Sequence, residues 1–238
     1  MPSSTLAYPL RLTGRLSPQL SRWRWLVKWL LAIPHFVALI VLGFGFVGAS
    51  VLAWFAILVT GRYPRRLFTY NVGVMRWSWR VGFYANSALG TDNYPPFTLK
   101  DVPDYPATLE VDYPESLSRR LVLVKWLLGV PHYLVVAVFA GGAGAAWSGT
   151  GSDWLWSSGG LIGLLVFFAG VTLLVTGRYP RPLYEFVLGM NRWVYRVAAY
   201  GALMTDTYPP FRLDMGGDEP VIDGTQGTRP PMPAPLTA

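Results

Sequence analysis

The stretch WLLAIPHFVALIVLGFGFVGASVLAWFAILVT, Trp29–Thr60, decides how the rest of the chain is read. It contains no Asp, Glu, Lys or Arg, and ~18 or more uncharged, mostly apolar residues read as a membrane span. Trp126–Ser152 and Trp154–Gly177 are free of charge in the same way. Of 238 residues only 14% are charged and 52% are hydrophobic, against about 25% charged in soluble domains. The composition predicts an integral membrane protein.

Parts of that stretch return later in the chain. Lys28-Trp29-Leu30-Leu31-Ala32-Ile33-Pro34-His35-Phe36 recurs as Lys125-Trp126-Leu127-Leu128-Gly129-Val130-Pro131-His132-Tyr133. Thr60-Gly61-Arg62-Tyr63-Pro64-Arg65 recurs as Thr176-Gly177-Arg178-Tyr179-Pro180-Arg181. Arg76-Trp77 and Arg80 match Arg192-Trp193 and Arg196, and Thr91-Asp92-Asn93-Tyr94-Pro95-Pro96-Phe97 matches Thr205-Asp206-Thr207-Tyr208-Pro209-Pro210-Phe211. The offset grows from 97 to 116 residues between the first and second blocks, which places an insertion of 19 in the Gly/Ser/Trp-rich stretch Gly141–Gly160. Recurring blocks in one order identify a duplicated unit. The first repeat covers 8–100, the second 105–214, and the Gly- and Pro-rich tail 215–238 reads as disordered.

The fold expected is a mainly α membrane protein with four transmembrane helices arranged as two helical hairpins. In the second copy Leu121–Ala140 crosses, Gly141–Gly160 turns, and Leu161–Thr176 returns. In the first, Gly43, Gly45 and Gly48 mark the turn and Val47–Thr60 is a short second helix, with a single span as the competing possibility. Two hairpins put all 20 Lys and Arg on one side, which the positive-inside rule makes the cytoplasm. The expected location is therefore the inner (plasma) membrane, multi-pass, with both termini cytoplasmic. Leu67–Leu89 and Leu183–Leu203 are amphipathic, and either lie as helices in the head-group plane or pack on the bundle. Period-2 alternation predicts short strands at Leu10–Leu16, 96–100, Ala107–Tyr113 and 210–214. The second and third of these form one hairpin, and the first and last pair equivalently.

The net charge of +7 sits beside apolar segments, where basic residues meet anionic head groups, so nucleic acid is not an expected partner. The absence of cysteine excludes disulfides and thiolate metal sites. Met1–Ser21 carries three prolines and two arginines without an apolar core, and does not read as a secretory signal.

The K-W-L-L-[AG]-[IV]-P-H, T-G-R-Y-P-R and T-D-x-Y-P-P-F blocks resemble a bacterial, largely actinobacterial, membrane protein family known as domain of unknown function 4389. The resemblance covers roughly Tyr8–Asp214. It implies membrane location and the duplicated unit, and carries no activity, ligand or catalytic residue.

Three sets of residues are candidates. His35 and His132 are the only histidines, each following a proline. They could satisfy a carbonyl freed by that proline, carry protons, or ligate a haem from two sides. Arg62, Arg65, Arg178 and Arg181 follow helix-capping glycines and suit either the negative helix end or lipid phosphate. Asp92 and Asp206 are candidate ion-pair partners of Arg80 and Arg196. No metal site and no hydrolase, phosphate-loop or dinucleotide motif is present. The expectation is a non-enzymatic scaffold that meets lipids and other membrane or cytoplasmic proteins. A small transporter or proton path through the histidines, and a bis-histidine haem electron carrier, are the alternatives.

Overall fold

A computed structural model describes residues 8–141 and 160–215. The elements are β1 (Leu10–Gly14), α1 (Trp25–Leu31), α2 (Ile33–Thr60), α3 (Arg65–Ala85), β2 (Ala107–Val111), α4 (Arg119–Leu128), α5 (Val130–Ala140), α6 (Gly160–Thr176) and α7 (Arg181–Gly201). The two copies run in step, α1–α3 answering to α4–α7. Pro34 and Pro131 sit in the first turn of α2 and α5, where a missing N–H costs least. Each proline follows a helix break at Ala32 or Gly129, and α4 meets α5 at a 48° bend.

The hairpin expected in the first copy is not formed. Ile33–Thr60 is one helix of 28 residues, about 42 Å long, and it is long and apolar enough to cross a membrane. Gly43, Gly45 and Gly48 lie inside it. Gly45 receives the Tyr70 ring, whose hydroxyl donates to the Leu42 carbonyl at 3.1 Å; the absent side chain serves a close approach and makes no turn. In the second copy Val130–Ala140 corresponds to Ile33–Gly43, and Gly160–Thr176 to Phe44–Thr60. Gly160 lies directly against Gly141 and the Phe139 carbonyl. The helical path that stops at Gly141 therefore resumes at Gly160. Four transmembrane helices are thus not what the structure contains. It has one continuous candidate span in α2, a bent candidate in α4–α5, and the shorter apolar α6. Most of the Gly141–Gly160 loop and of the 215–238 tail falls outside the described residues.

The strand pairing also differs from expectation. β1 pairs with β2, antiparallel, with Leu12 opposite Leu109, and these are equivalent residues of the two copies. A pseudo-two-fold axis passes between them. Segments 96–100 and 210–214 are irregular. Tertiary contacts select the partner: each leading segment lies on the other copy's long helix. Tyr8 donates to the Thr207 carbonyl at 3.2 Å and Tyr105 to the Asn93 carbonyl at 3.0 Å. Arg192 Nε reaches the Leu12 carbonyl at 2.9 Å and Arg76 Nε the Leu109 carbonyl at 2.8 Å. The two copies are interlocked by exchanged strands.

Three layers result. The ribbon buries Leu10, Leu12 and Leu109 on α3 and α7, where Trp79 Nε1 donates to the Thr13 carbonyl at 2.9 Å. The amphipathic helices α3 and α7 are consequently the central pair and pack on the rest of the protein, with Trp79, Phe83, Leu188 and Met190 fully buried. The outer layer of α1, α2, α4, α5 and α6 turns large apolar side chains outward: Phe44 is 77% exposed, Val59 76% and Leu127 73%. Soluble monomers rarely expose contiguous apolar surface on this scale.

Candidate functional site

Each copy gathers its motif blocks into one cluster. Lys28 on α1 is buried, with Nζ 2.6 Å from Asp92 and donating to the Thr91 carbonyl at 2.7 Å. Lys125 on α4 repeats this with Asp206 at 2.7 Å and Thr205 at 2.8 Å. The second carboxylate oxygen of each aspartate accepts a backbone N–H, from Ser21 or from Ser118, both at 2.7 Å. Asp92 and Asp206 thus pair with lysines, correcting the expected pairing with Arg80 and Arg196. Arg196 instead meets Asp214 at 2.7 Å. Arg80 donates to the Thr98 carbonyl, because the first copy has Lys100 where the second has Asp214.

Beside each ion pair lies a histidine. Trp77 Nε1 donates to His35 Nδ1, and Trp193 Nε1 to His132 Nδ1, both at 3.1 Å. An acceptor at Nδ1 assigns the neutral tautomer with its proton on Nε2. Phe97 stacks on His35 with centroids 3.8 Å apart, and Phe211 on His132 at 4.1 Å. Tyr94 and Tyr208 close each cage and donate to the Leu31 and Leu128 carbonyls at 3.2 and 3.1 Å. Among the described residues neither Nε2 has a hydrogen-bond partner that meets full geometry, and the Pro209 backbone lies beside His132. The result is two separate histidine sites, each among rings of its own copy. Both clusters clamp the elbow between two successive helices, α1–α2 or α4–α5, onto the loop after α3 or α7. Among the described residues no group of three His, Asp or Glu could hold a metal.

The Gly-Arg-Tyr-Pro-Arg motifs begin alike and end differently. Gly61 and Gly177 take φ of 70° and 71°, and their amides close the helix on Ile57 and Leu173 at 2.8 and 2.9 Å. In the first copy Tyr113 fills the space beyond. Its hydroxyl donates to the Tyr63 carbonyl at 2.5 Å, and the Arg65 guanidinium lies 4.5 Å from its ring centre. Leu16 occupies the equivalent place in the second copy, and a cavity of about 700 Å³ opens there. Arg15, Arg178 and Arg181 line it together with Glu185, Tyr179 and Tyr184. Among the described residues none of these arginines is ion-paired. Among the described residues the buried Tyr179 and Tyr184 hydroxyls have no hydrogen-bond partner, and burial pushes both phenols up, so they keep their protons. Arg178 and Arg181 are thus brought into one basic cavity, whereas Arg65 is spent on a ring. Arg15 and the two tyrosines were not among the sequence candidates; comparing Leu16 with Tyr113 across the copies is the signal that finds them.

Three guanidinium groups gathered in one cavity beside the single acidic residue Glu185 can hold an anion with several oxygens. No curated protein and no solved structure matches the chain. The family model described as "Domain of unknown function (DUF4389)" matches residues 22–98 and 154–212, one stretch in each copy and more than half of the chain. On that match, and on motif blocks that assemble into the same cluster twice, the chain belongs to the DUF4389 family.

Proposed function

We propose that this is a non-enzymatic integral membrane protein that docks the phosphate of anionic lipids and so acts as a lipid-organising scaffold. The observation that carries the reading is the basic cavity beside α6. Arg15, Arg178 and Arg181 gather there with no ion pair among the described residues, and the oxygens of a lipid phosphate would accept hydrogen bonds from them. The apolar outer layer supports placement in the bilayer. A multi-pass topology with both termini on the cytoplasmic side belongs to the same reading. It is supported by the meeting of Tyr8 and Asp214, near the two ends of the described chain, at Arg196.

The test is lipid retention by the full chain purified in mild detergent, read by native mass spectrometry. Phosphatidylglycerol should be retained over phosphatidylcholine, and Leu16→Tyr, which copies the filled first-copy arrangement, should abolish the preference. Equal retention of both lipids, or an unchanged preference in Leu16→Tyr, would refute the docking role. Single cysteines placed at Arg62 and Arg178 of this cysteine-free chain should be labelled from the same side of the membrane.

The unpartnered Nε2 atoms of His35 and His132 favour a second reading, a proton path through the cages. Unchanged proton flux in proteoliposomes carrying the His35→Ala/His132→Ala chain would end it.

A further inference from the structure

We infer that the cavity between the two copies binds an uncharged amphiphile drawn from the bilayer, a long hydrocarbon chain ending in a carbonyl or hydroxyl group. The inference rests on the membrane-embedded reading but not on the basic cavity, which lies elsewhere. The space measures about 530 Å³, within the range of small-molecule sites. Leu39 and Phe46 of α2 and Ile162 of α6 form its walls, and Val74 and Met75 of α3 with Val194 of α7 its floor. Asn86 and Ala198 line it and are exposed, marking the mouth. Among the described residues no Asp, Glu, Lys or Arg lines it, so a charged head group would enter without compensation from them.

Its polar atoms are distributed in a way the repeat does not explain. Ser78, Asn191 and Tyr195 line the cavity, and their equivalents in the other copy are Val194, Met75 and Trp79. Asn86 and Ser87 also line it, and they are two residues the second copy lacks. The polar lining therefore comes from positions where the copies differ, and the unit folds in the other copy without it. Ser78 Oγ and Tyr195 Oη lie 2.7 Å apart; that bond uses one of their two protons and leaves the other free to donate to a carbonyl. Asn191 Nδ2 is held by the Ser87 and Val187 carbonyls, both at 2.9 Å, which fixes the side chain. Gly43 and Gly163 line the same space, and a Cβ on either meets nothing within 4 Å. Leucine at these helical positions would occupy the cavity while favouring the helix.

The experiment uses the full chain in phosphatidylcholine vesicles with one of three photoreactive probes: a diacylglycerol, an isoprenoid quinone or a phosphatidylglycerol. Cross-linked peptides are mapped by mass spectrometry. One or both neutral probes should label Val74–Ser78 and Asn191–Ala198, and whichever labels more identifies the source of the ligand. Labelling should fall at least about tenfold in Gly43→Leu/Gly163→Leu, while that variant stays in the membrane after carbonate washing. Labelling confined to outward residues such as Phe44, labelling unaltered by the filling variant, or equal labelling by phosphatidylglycerol would each overturn the inference. Release of the wild-type chain by carbonate would overturn the membrane reading and this inference with it. Retention with an unlabelled cavity overturns this inference alone.

Discussion

Lys28→Met should be strongly destabilising, and its size can be worked from the geometry. The substitution keeps the length of the aliphatic stem and removes the ammonium 2.6 Å from Asp92. Asp92, its side chain 13% exposed, then keeps only the Ser21 N–H at 2.7 Å. Removing one partner of a buried pair costs about 3–5 kcal/mol, because the remaining charge stays desolvated and uncompensated. For a chain of this length each kcal/mol moves Tm by roughly 2–4 °C, so the single variant should melt roughly 6–20 °C lower. Asp92→Asn should cost a similar amount by orphaning the lysine. The double variant should be more stable than either single one, since no buried charge is left. In the second copy Asp206 is 29% exposed, so Lys125→Met should lose less. The assay is tryptophan fluorescence during heating in detergent, with the wild type and all four variants in one buffer. A Lys28→Met shift within about 2 °C of wild type, or a double variant whose loss equals the sum of the singles, would refute the reasoning.

Three further outcomes are expected. Leu12→Ala and Leu109→Ala, both emptying fully buried sites at the pseudo-two-fold axis, should each lower stability by about 2–5 kcal/mol; denaturant melts that leave either unaffected contradict the packing of the ribbon on α3 and α7. Gly177→Ala should destabilise by about 1–2 kcal/mol through its φ of 71°, whereas Gly163→Ala, within α6 and meeting nothing, should be neutral or stabilising by up to about 1 kcal/mol; thermal melts of the pair check the contrast. Burial raises the phenols of Tyr8 and Tyr105 against the lowering pull of Arg196 and Arg80, and pushes Tyr63 up to about 12. A folded-state pKa above the unfolded value gives stability that is complete below about pH 10 and is lost as pH rises beyond it, so Tm should be flat from pH 7 to 9 and fall above 10, with the tyrosinate absorbance lagging free tyrosine.

Much of the architecture is legible in the residues, and the failures have physical causes. The repeat, the amphipathic pattern of α3 and α7 and the strands around Leu12 and Leu109 all follow from periodicity. Which strand pairs with which does not, since alternation specifies a face and no partner. Glycines in α2 resemble a turn only when the Tyr70 ring that needs Gly45 is not in view. Amphipathicity likewise cannot tell a membrane surface from a protein one, and here the apolar stripe of α3 meets the ribbon. Asp92 could not be assigned to Lys28 over Arg80 from spacing, because the contact closes a loop of more than sixty residues and depends on the elbow at Ala32. His35 and His132 were visible as a pair, but their separate aromatic cages emerge only when the Tyr-Pro-Pro-Phe loops fold back. The basic cavity turns on one position, Leu16 against Tyr113, whose weight appears once both lie beside the same turn.

Ile33–Thr60 runs unbroken while its second-copy equivalent admits extra residues between Gly141 and Gly160, whose backbones still touch. A helical rod that reseals after such an interruption has a natural splice point. The matching peptide bond in α2, between Gly43 and Phe44, is where a tag or small reporter module should graft into this chain with its two flanking half-helices kept in line.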